Sequence, residues 1–310
     1  MAADSSYAAN EKDKLPERVV LWDETEVAEK QVNQVGTSAC GATAVLNVLK
    51  LLGRSALVDM AVNAVNTRLR DLSAPLPQYL LSRSVAGTTH KDLIGGLDKL
   101  TNGEVIGHFF HMYPKRDFDL SSWLKYWLMN GVIPLATLNC QKVPLDDGTI
   151  PDAWHHQVIC GVSENGVHLT NPQRVSPFDV ISKELCSESV LLIRRHDVLQ
   201  RWSNTLDYSC WKSDGNRWNE LKVREQIDQM VKEETLLLLH GSELKHRELL
   251  TTHVTIPAAY KSGITLFALR DSNAHKLLEQ ANELTLESAY KDIDDKRQSL
   301  HSEKNLSVIV

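Results

Sequence analysis

Apolar residues in the first two hundred positions follow helical spacing in some stretches and form short continuous runs in others. Stretches with apolar residues three or four apart, ended by Gly or Asn-Gly, are typical of helices that pack one face on a core. Short runs rich in β-branched and aromatic residues are typical of strands. Helices are predicted from about 38 to 52, 57 to 69, 88 to 101 and 119 to 129. Strands are predicted at 18–22, 105–110, 132–138, 155–162, 167–170 and 190–194.

The order of these elements predicts an α+β fold, because helices come first and a series of mostly antiparallel strands follows. A regularly alternating βαβ fold would mix the two kinds of element along the whole chain. Glu164-Asn165-Gly166 stands between two of the predicted strands and is a hairpin turn signal. The helical N-terminal part is therefore expected to pack on a mostly antiparallel sheet.

The pattern changes after about residue 199, and we predict a soft domain boundary near 200. Beyond it, the predicted elements are a helix at 221–234, strands at 235–240 and 264–269, and a charged helix from 273 to about 297. Three parts follow: a flexible tail over 1–17, a folded domain over 18–200, and an α/β extension over 201–310. The sequence does not indicate a role for the extension.

Composition and charge exclude several classes of protein. The 310 residues are 42% hydrophobic and 24% charged, which is ordinary for a globular protein. The formal net charge is −6 and the Lys and Arg residues are scattered, so nucleic acid is not an expected partner. No apolar run approaches the roughly 20 residues that a membrane-spanning helix needs, and the N-terminus shows no secretory signal. A membrane is therefore not an expected partner either.

The cysteines indicate a reducing compartment, with the cytoplasm as the expectation and the nucleus as the alternative. They are odd in number and too widely spaced for a disulfide framework. The five are Cys40, Cys140, Cys160, Cys186 and Cys210. No Cys-x-x-Cys or His-Glu-x-x-His motif is present, so no metal or organic cofactor is expected. The sequence leaves the oligomeric state unknown.

One stretch, from Gln34 to Ala44, combines a cysteine with the start of a predicted helix. Cys40 precedes an apolar run, and Gln34 lies six residues before it. A helix N-terminus is expected to lower the pKa of a thiol there and to expose its Sγ, which suits a nucleophile. The backbone N–H of Cys40 and the side-chain amide of Gln34 are candidate donors for an oxyanion. A cysteine packed in the core is the simpler alternative.

A cysteine nucleophile needs an imidazole to activate it and a third group to orient that imidazole. His155 and His156 open one predicted strand, where alternation places them on opposite faces. Residues that face apart do not easily share an ion, so a metal pair is disfavoured. Asn171-Pro172 ends the next strand, 16 residues after His155. Asn171 is a candidate orienting group, although Asn-Pro also starts plain turns.

The order Cys, His, Asn, with a Gln six residues before the Cys, resembles the papain-like cysteine peptidase superfamily. The closer resemblance is to its C39-like branch, the double-glycine peptidases and their guanylyl-cyclase-domain-like relatives. Three motifs between about residues 30 and 195 carry it. They are Gln-x5-Cys-Gly before an apolar helix, Asn130-Gly131 before a strand with Pro134, and a His-led strand that closes on Gly161 before Asn171-Pro172.

The resemblance implies a papain-like fold, in which the nucleophile helix packs on the sheet and residues 18–200 are the catalytic domain. It also implies that His155, six residues before Gly161, is the catalytic imidazole. The implied triad is Cys40, His155 and Asn171, with Gln34 as an oxyanion donor. The implied activity is a thiol-dependent peptidase or amide hydrolase that works through an acyl-enzyme. Its partner would be a peptide or protein substrate, with ubiquitin-like tails among the candidates.

Two departures from the branch leave other functions open. Asn171 stands where the branch more often has Asp, and Ala39 replaces an acidic residue that is common there. An Asn side chain accepts the imidazole N–H, but it gives less electrostatic support to an imidazolium. A non-catalytic papain-like binding module and an acyl transferase on the same fold are therefore the alternatives.

Overall fold

A computed structural model describes residues 15–214, 216–240 and 250–288. Most of the predicted N-terminal tail, and the last part of the helix predicted from 273 to 297, lie outside these residues. The helices are α1 (Glu24–Lys30), α2 (Cys40–Leu51), α3 (Val58–Ala64), α4 (Leu76–Val85), α5 (His90–Leu100), α6 (Leu120–Met129), α7 (Phe178–Leu185), α8 (Arg195–Leu199), α9 (Arg217–Glu220), α10 (Val223–His240) and α11 (Asn273–Glu279). Short 3-10 helices span Cys140–Lys142 and Ser209–Asp214.

The described strands form one large sheet and one separate pair. They are β1 (Val19–Val20), β2 (Val105–His111), β3 (Ile133–Leu138), β4 (His155–Ser163), β5 (Gly166–Leu169), β6 (Arg174–Ser176), β7 (Val190–Arg194), β8 (His253–Pro257) and β9 (Gly263–Leu269). The 7-stranded sheet has the order β2-β9-β3-β4-β5-β6, with β1 paired to β4, and β7 pairs with β8. The pairings are antiparallel. Helices with an antiparallel sheet make an α+β fold, as predicted.

Helices cover both faces of the large sheet, because successive residues along its central strands are apolar and point to opposite sides. Leu135 and Val158 lie in the core that includes α2 and α5. Their neighbours Ala136 and Ile159 lie in the core that includes α6 and α7. Every residue of α2 from Cys40 to Leu49 is buried. This helix is therefore fixed in the interior, which gives its first turn a defined place near β4.

Residues beyond position 200 contribute to the large sheet. β9 lies between β2 and β3, and its Phe267 pairs with Gly107 on one side and Ile133 on the other. β8, which also lies beyond 200, pairs with β7. The large sheet therefore contains strands from both sides of the boundary predicted near residue 200. The division into domains stays a prediction.

Some elements differ from the sequence prediction. The strand predicted at 235–240 is wrong, since these residues end α10. The helix that begins near 273 ends at Glu279. Helices α4 and α7, which begin at prolines, are absent from the sequence prediction. Pro77 stands in the first turn of α4 and Pro177 caps α7, and both positions tolerate a proline because their N–H needs no helical partner.

Candidate active site

Cys40 is the first residue of α2, as the pattern predicts to within two residues. Ser38, just before it, has a φ of 60°, so the chain turns sharply into the helix. The next residue is Gly41, and a Cβ at this position would lie 2.7 Å from the side chain of Thr88. The close approach of Thr88 therefore requires glycine after the cysteine.

The Cys40 thiol is more enclosed than expected. The residue is 6% exposed, and burial raises the pKa of its thiol instead of the predicted lowering by the helix N-terminus. The backbone N–H groups of His156, Gly41 and Cys40, and the positive charge of Arg70, lower the pKa but do not overcome burial. The expectation of an exposed thiol with a lowered pKa was wrong, because removal from water outweighs the helix N-terminus.

Two polar residues inside α2 hold the loop that carries Gln34. Asn47 accepts from the backbone N–H of Val32 at 2.7 Å and donates to the carbonyl of Val32 at 3.0 Å. The Thr43 hydroxyl accepts from the backbone N–H of Val35 at 3.2 Å. The loop is thus bonded along the helix that begins with Cys40, which keeps Gln34 near the helix N-terminus.

Asn171 forms hydrogen bonds both to the loop before Cys40 and to the strand that begins with His155. Its side-chain Nδ2 donates to Oε1 of Gln34 at 3.0 Å, and its backbone N–H donates to Oε1 of Gln31 at 3.0 Å. Its backbone carbonyl lies 2.6 Å from Nε2 of His155. The residue has a φ of 48°, a left-handed conformation that Asn tolerates. The structure therefore brings Gln34, His155 and Asn171 together.

The contact to His155 differs from the expected one. The side-chain amide of Asn171 was expected to hold the imidazole, but it bonds to Gln34 and the backbone carbonyl of Asn171 takes its place. A carbonyl only accepts, so Nε2 carries the proton and the neutral ring has its lone pair on Nδ1. Burial lowers the pKa of His155, which favours that neutral ring. Between Cys40 and His155, both described, no hydrogen bond is formed.

His156 has a structural environment. It is fully buried, its Nε2 lies 2.7 Å from the carbonyl of Thr88, and its Nδ1 lies 3.2 Å from Oγ1 of Thr137. Burial lowers the pKa of His156 to about 4. With both ring nitrogens bonded, this imidazole has no free position to accept a proton from a thiol.

Gln34 is exposed, and both ends of its amide are bonded. Nε2 donates to the carbonyl of Gly36 at 2.9 Å, while Oε1 accepts from Asn171. An amide nitrogen carries two hydrogens, so one donor of Gln34 is left for another acceptor. Asn171 thus fixes the direction in which the predicted oxyanion donor points.

A second network supports the turn at Asn171. Nε2 of Gln157 donates to the carbonyls of Thr170 at 2.9 Å and Pro172 at 3.1 Å. Arg174 donates to Oε1 of Gln157 at 3.0 Å and forms an ion pair with Glu184 at 2.8 Å. The sequence gives one signal for Gln157, because alternation along the strand places it on the same face as His155.

A small cavity opens beside Cys40, and its other residues are not among those predicted from the sequence. Its volume is about 40 Å³, room for only a few water molecules. Arg70, Arg83, Trp154 and Tyr260 contribute to its wall. These residues come from four separate segments without a shared motif, so no pattern in the sequence marks them.

The described residues contain neither a cluster of metal ligands nor a membrane-spanning helix. No three His, Cys, Asp or Glu side chains in residues 15–214, 216–240 and 250–288 are grouped so that they could hold a metal ion. Among the helices of those same segments, none has the length and apolar character needed to cross a membrane.

Comparison with known proteins gives a distant likeness. No family model and no curated protein matches the sequence. A solved structure from Bacillus anthracis, provisionally described as a C39-like peptidase, is similar to this chain with a TM-score of 0.36 and 18% sequence identity. The match covers 55% of this chain and 92% of that chain. A TM-score this low does not establish a shared fold or a shared function.

Proposed function

We infer that the protein is a thiol-dependent peptidase or amide hydrolase of the papain-like type, with Cys40 as its nucleophile. The observation that carries this proposal is the short contact from Nε2 of His155 to the carbonyl of Asn171, at 2.6 Å. It fixes the tautomer of a half-buried imidazole and leaves a basic nitrogen free. Asn171 is bonded in turn to Gln34, which belongs to the loop before Cys40.

The reaction follows from these groups. Nδ1 of His155 accepts the thiol proton as Sγ of Cys40 attacks the carbonyl carbon of an amide. The C–S bond forms, the C–N bond breaks, and the imidazolium gives its proton to the leaving amine. Water then attacks the thioester, releases the acid and restores the thiol. The pKa directions at the two groups favour a neutral thiol and a neutral imidazole at rest, so proton transfer accompanies attack.

The oxyanion that forms in each step needs donors. The backbone N–H of Cys40 and the remaining hydrogen of the Gln34 amide are the candidates. Each such donor contributes on the order of 3 kcal/mol to the transition state in comparable sites. Asn171 acts through its neighbours as a positioning residue, since its carbonyl orients His155 and its side chain orients Gln34.

A non-catalytic binding module is the second candidate, and one observation favours it. The Cys40 thiol is buried, burial raises its pKa, and it forms no hydrogen bond with His155 within the described chain. A fold kept for recognition would show the same closed thiol. An amine or thiol acceptor in place of water would make the same site an acyl transferase.

Cleavage of a complex peptide mixture tests the proposal. The wild-type protein should generate new N- and C-termini, and Cys40→Ser should abolish them while Cys160→Ser leaves them. Added amine would appear in the products if the site transfers acyl groups. The hydrolase proposal would be rejected if Cys40→Ser generated new termini at the wild-type rate, or if neither protein generated any. The binding module would then be the remaining candidate.

A further inference from the structure

The cavity beside Cys40 carries more positive than negative charge. Two guanidinium groups, those of Arg70 and Arg83, lie in its wall, and no acidic side chain does. Both arginines pair with a single carboxylate, that of Asp152, and the Arg83 contact is 3.1 Å. Although burial opposes it, the charges of Arg83 and Arg70 hold the pKa of Asp152 below its usual range. The two guanidinium groups and the carboxylate together carry a net charge of +1.

Arg83 is the arginine that the protein itself satisfies. Its side chain is buried and donates to the carboxylate of Asp152, to the backbone carbonyl of Asp152 at 2.8 Å, and to the hydroxyl of Tyr79 at 3.1 Å. Its role is to hold Asp152 in place. The protein does not use all the donors of Arg70 in this way.

Arg70 keeps unused donors. Within the described residues its side chain forms one hydrogen bond, from Nη1 to Asp152, so no protein acceptor takes up Nε–H or Nη2–H. Its segment is held on both sides. Arg68 pairs with Gly87 and donates to the carbonyl of Val85 at 2.7 Å, and the N–H of Asp71 donates to Ser82 at 3.0 Å. The guanidinium is thus held beside the thiol with a free edge.

We propose that the substrate carries a carboxylate next to the amide that Cys40 attacks, and that Arg70 binds this carboxylate. A guanidinium presents parallel N–H donors that match the two oxygens of a carboxylate. Trp154 and Tyr260, which stack at 5.6 Å in the same wall, give the pair a partly apolar surrounding in which it is stronger than in water. The small cavity admits a group of carboxylate size. The inference rests on the proposed function, since it assigns a substrate to that site.

Paired alkylating reagents test charge recognition without any hydrolysis. Iodoacetate and iodoacetamide both form a C–S bond and release iodide, but only iodoacetate carries a carboxylate. The ratio of their rate constants at Cys40, measured by peptide mass spectrometry, therefore isolates binding of that group. A changed thiol pKa affects both reagents alike and cancels in the ratio.

Arg70→Gln should lower the iodoacetate-to-iodoacetamide ratio by roughly fivefold or more, because one positive charge beside the thiol is lost. Arg70→Lys keeps the charge and should retain most of the ratio. Arg54→Gln is the matched control, since Arg54 pairs with Glu104 on the surface. Added salt should weaken the wild-type preference. A change of less than about twofold in Arg70→Gln would overturn the inference.

The outcomes separate the two proposals. If the ratio falls in Arg70→Gln but no amide is cleaved, the carboxylate site stands and the hydrolase fails. If Cys40 in the folded protein reacts with neither reagent, both fail. If amides are cleaved, peptide pairs that differ by Asp against Asn at the cleaved bond, or by a C-terminal acid against an amide, identify which carboxylate Arg70 binds. Equal cleavage within both pairs would reject binding of a substrate carboxylate by Arg70, but it would still support the proposed hydrolase.

Discussion

Cys40 and Cys160 are both buried thiols, but their surroundings differ in kind. Cys160 is 1% exposed, packs with Trp22 and Val27, and has the carbonyl of His168 at 3.5 Å from its Sγ. Burial raises the pKa of its thiol to about 12. Cys40 is 6% exposed and lies among backbone N–H groups, a guanidinium and a cavity. Burial alone thus does not distinguish Cys160 from the proposed nucleophile Cys40, whereas the groups around Cys40 that favour an anion do.

Alkylation in the folded protein should separate the two thiols most strongly. Iodoacetamide should modify Cys40 on the order of a thousandfold faster than Cys160, because the core thiol must wait for the chain to open. Peptide mass spectrometry over time gives both rates from one sample. In denaturant the rates should become equal, and equal rates in the native state would remove the distinction on which the site depends.

The two adjacent histidines should divide activity from stability. His155→Ala should lower amide hydrolysis by about a hundredfold or more, because the general base is lost, while the free energy of unfolding changes little. His156→Ala should lower the free energy of unfolding by about 2–4 kcal/mol, because it leaves a buried space and an unpaired carbonyl at Thr88. Urea denaturation and product formation measure the two effects. The reverse assignment of losses would make His156 the base.

Acid should expose the structural role of His156. Its pKa is lowered to about 4 in the folded chain, whereas the unfolded chain binds a proton near pH 6.5. The neutral ring therefore makes its whole contribution to the free energy of unfolding above about pH 6.5. This contribution, about 3 kcal/mol, is lost as the pH falls toward 4. Urea denaturation at several pH values should show a steeper acid loss in the wild type than in His156→Ala. Identical slopes would contradict the buried neutral ring.

Asn171→Gly should have the smallest effect. The backbone carbonyl that binds His155 is kept, and glycine adopts the left-handed conformation without strain. Only the contact to Gln34 is lost, so hydrolysis should fall by less than about tenfold, through weaker placement of one oxyanion donor. A loss as large as that of His155→Ala would show that the Asn171 side chain orients the imidazole after all.

Local signals in the sequence predict much of the fold and part of the site. The start of α2 near Cys40, the His-led strand and the hairpin before Gly166 each depend on a few neighbouring residues. The place of β9 in the sheet could not be predicted, because a strand signal carries no information on its partners. Helices that begin at proline were missed for a similar reason, since the periodic pattern alone does not mark a capping position.

The detailed contacts of the site depend on backbone conformation and on distant segments. The left-handed turn at Asn171 directs its carbonyl to His155 and its side chain to Gln34, which no spacing rule shows. Arg70 and Asp152 meet although 82 positions separate them. The thiol pKa was predicted in the wrong direction, because the degree of burial at Cys40 is a property of the whole fold.

Detection of an acyl-enzyme tests the central claim most directly. A peptide substrate mixed with the protein and quenched in acid should leave its acyl part as a thioester on Cys40, found by mass spectrometry of the Cys40 peptide. His155→Ala should form it more slowly, and Cys160 should never carry it. Product formation without any acyl group on Cys40, or cleavage that persists in Cys40→Ser, would contradict the account.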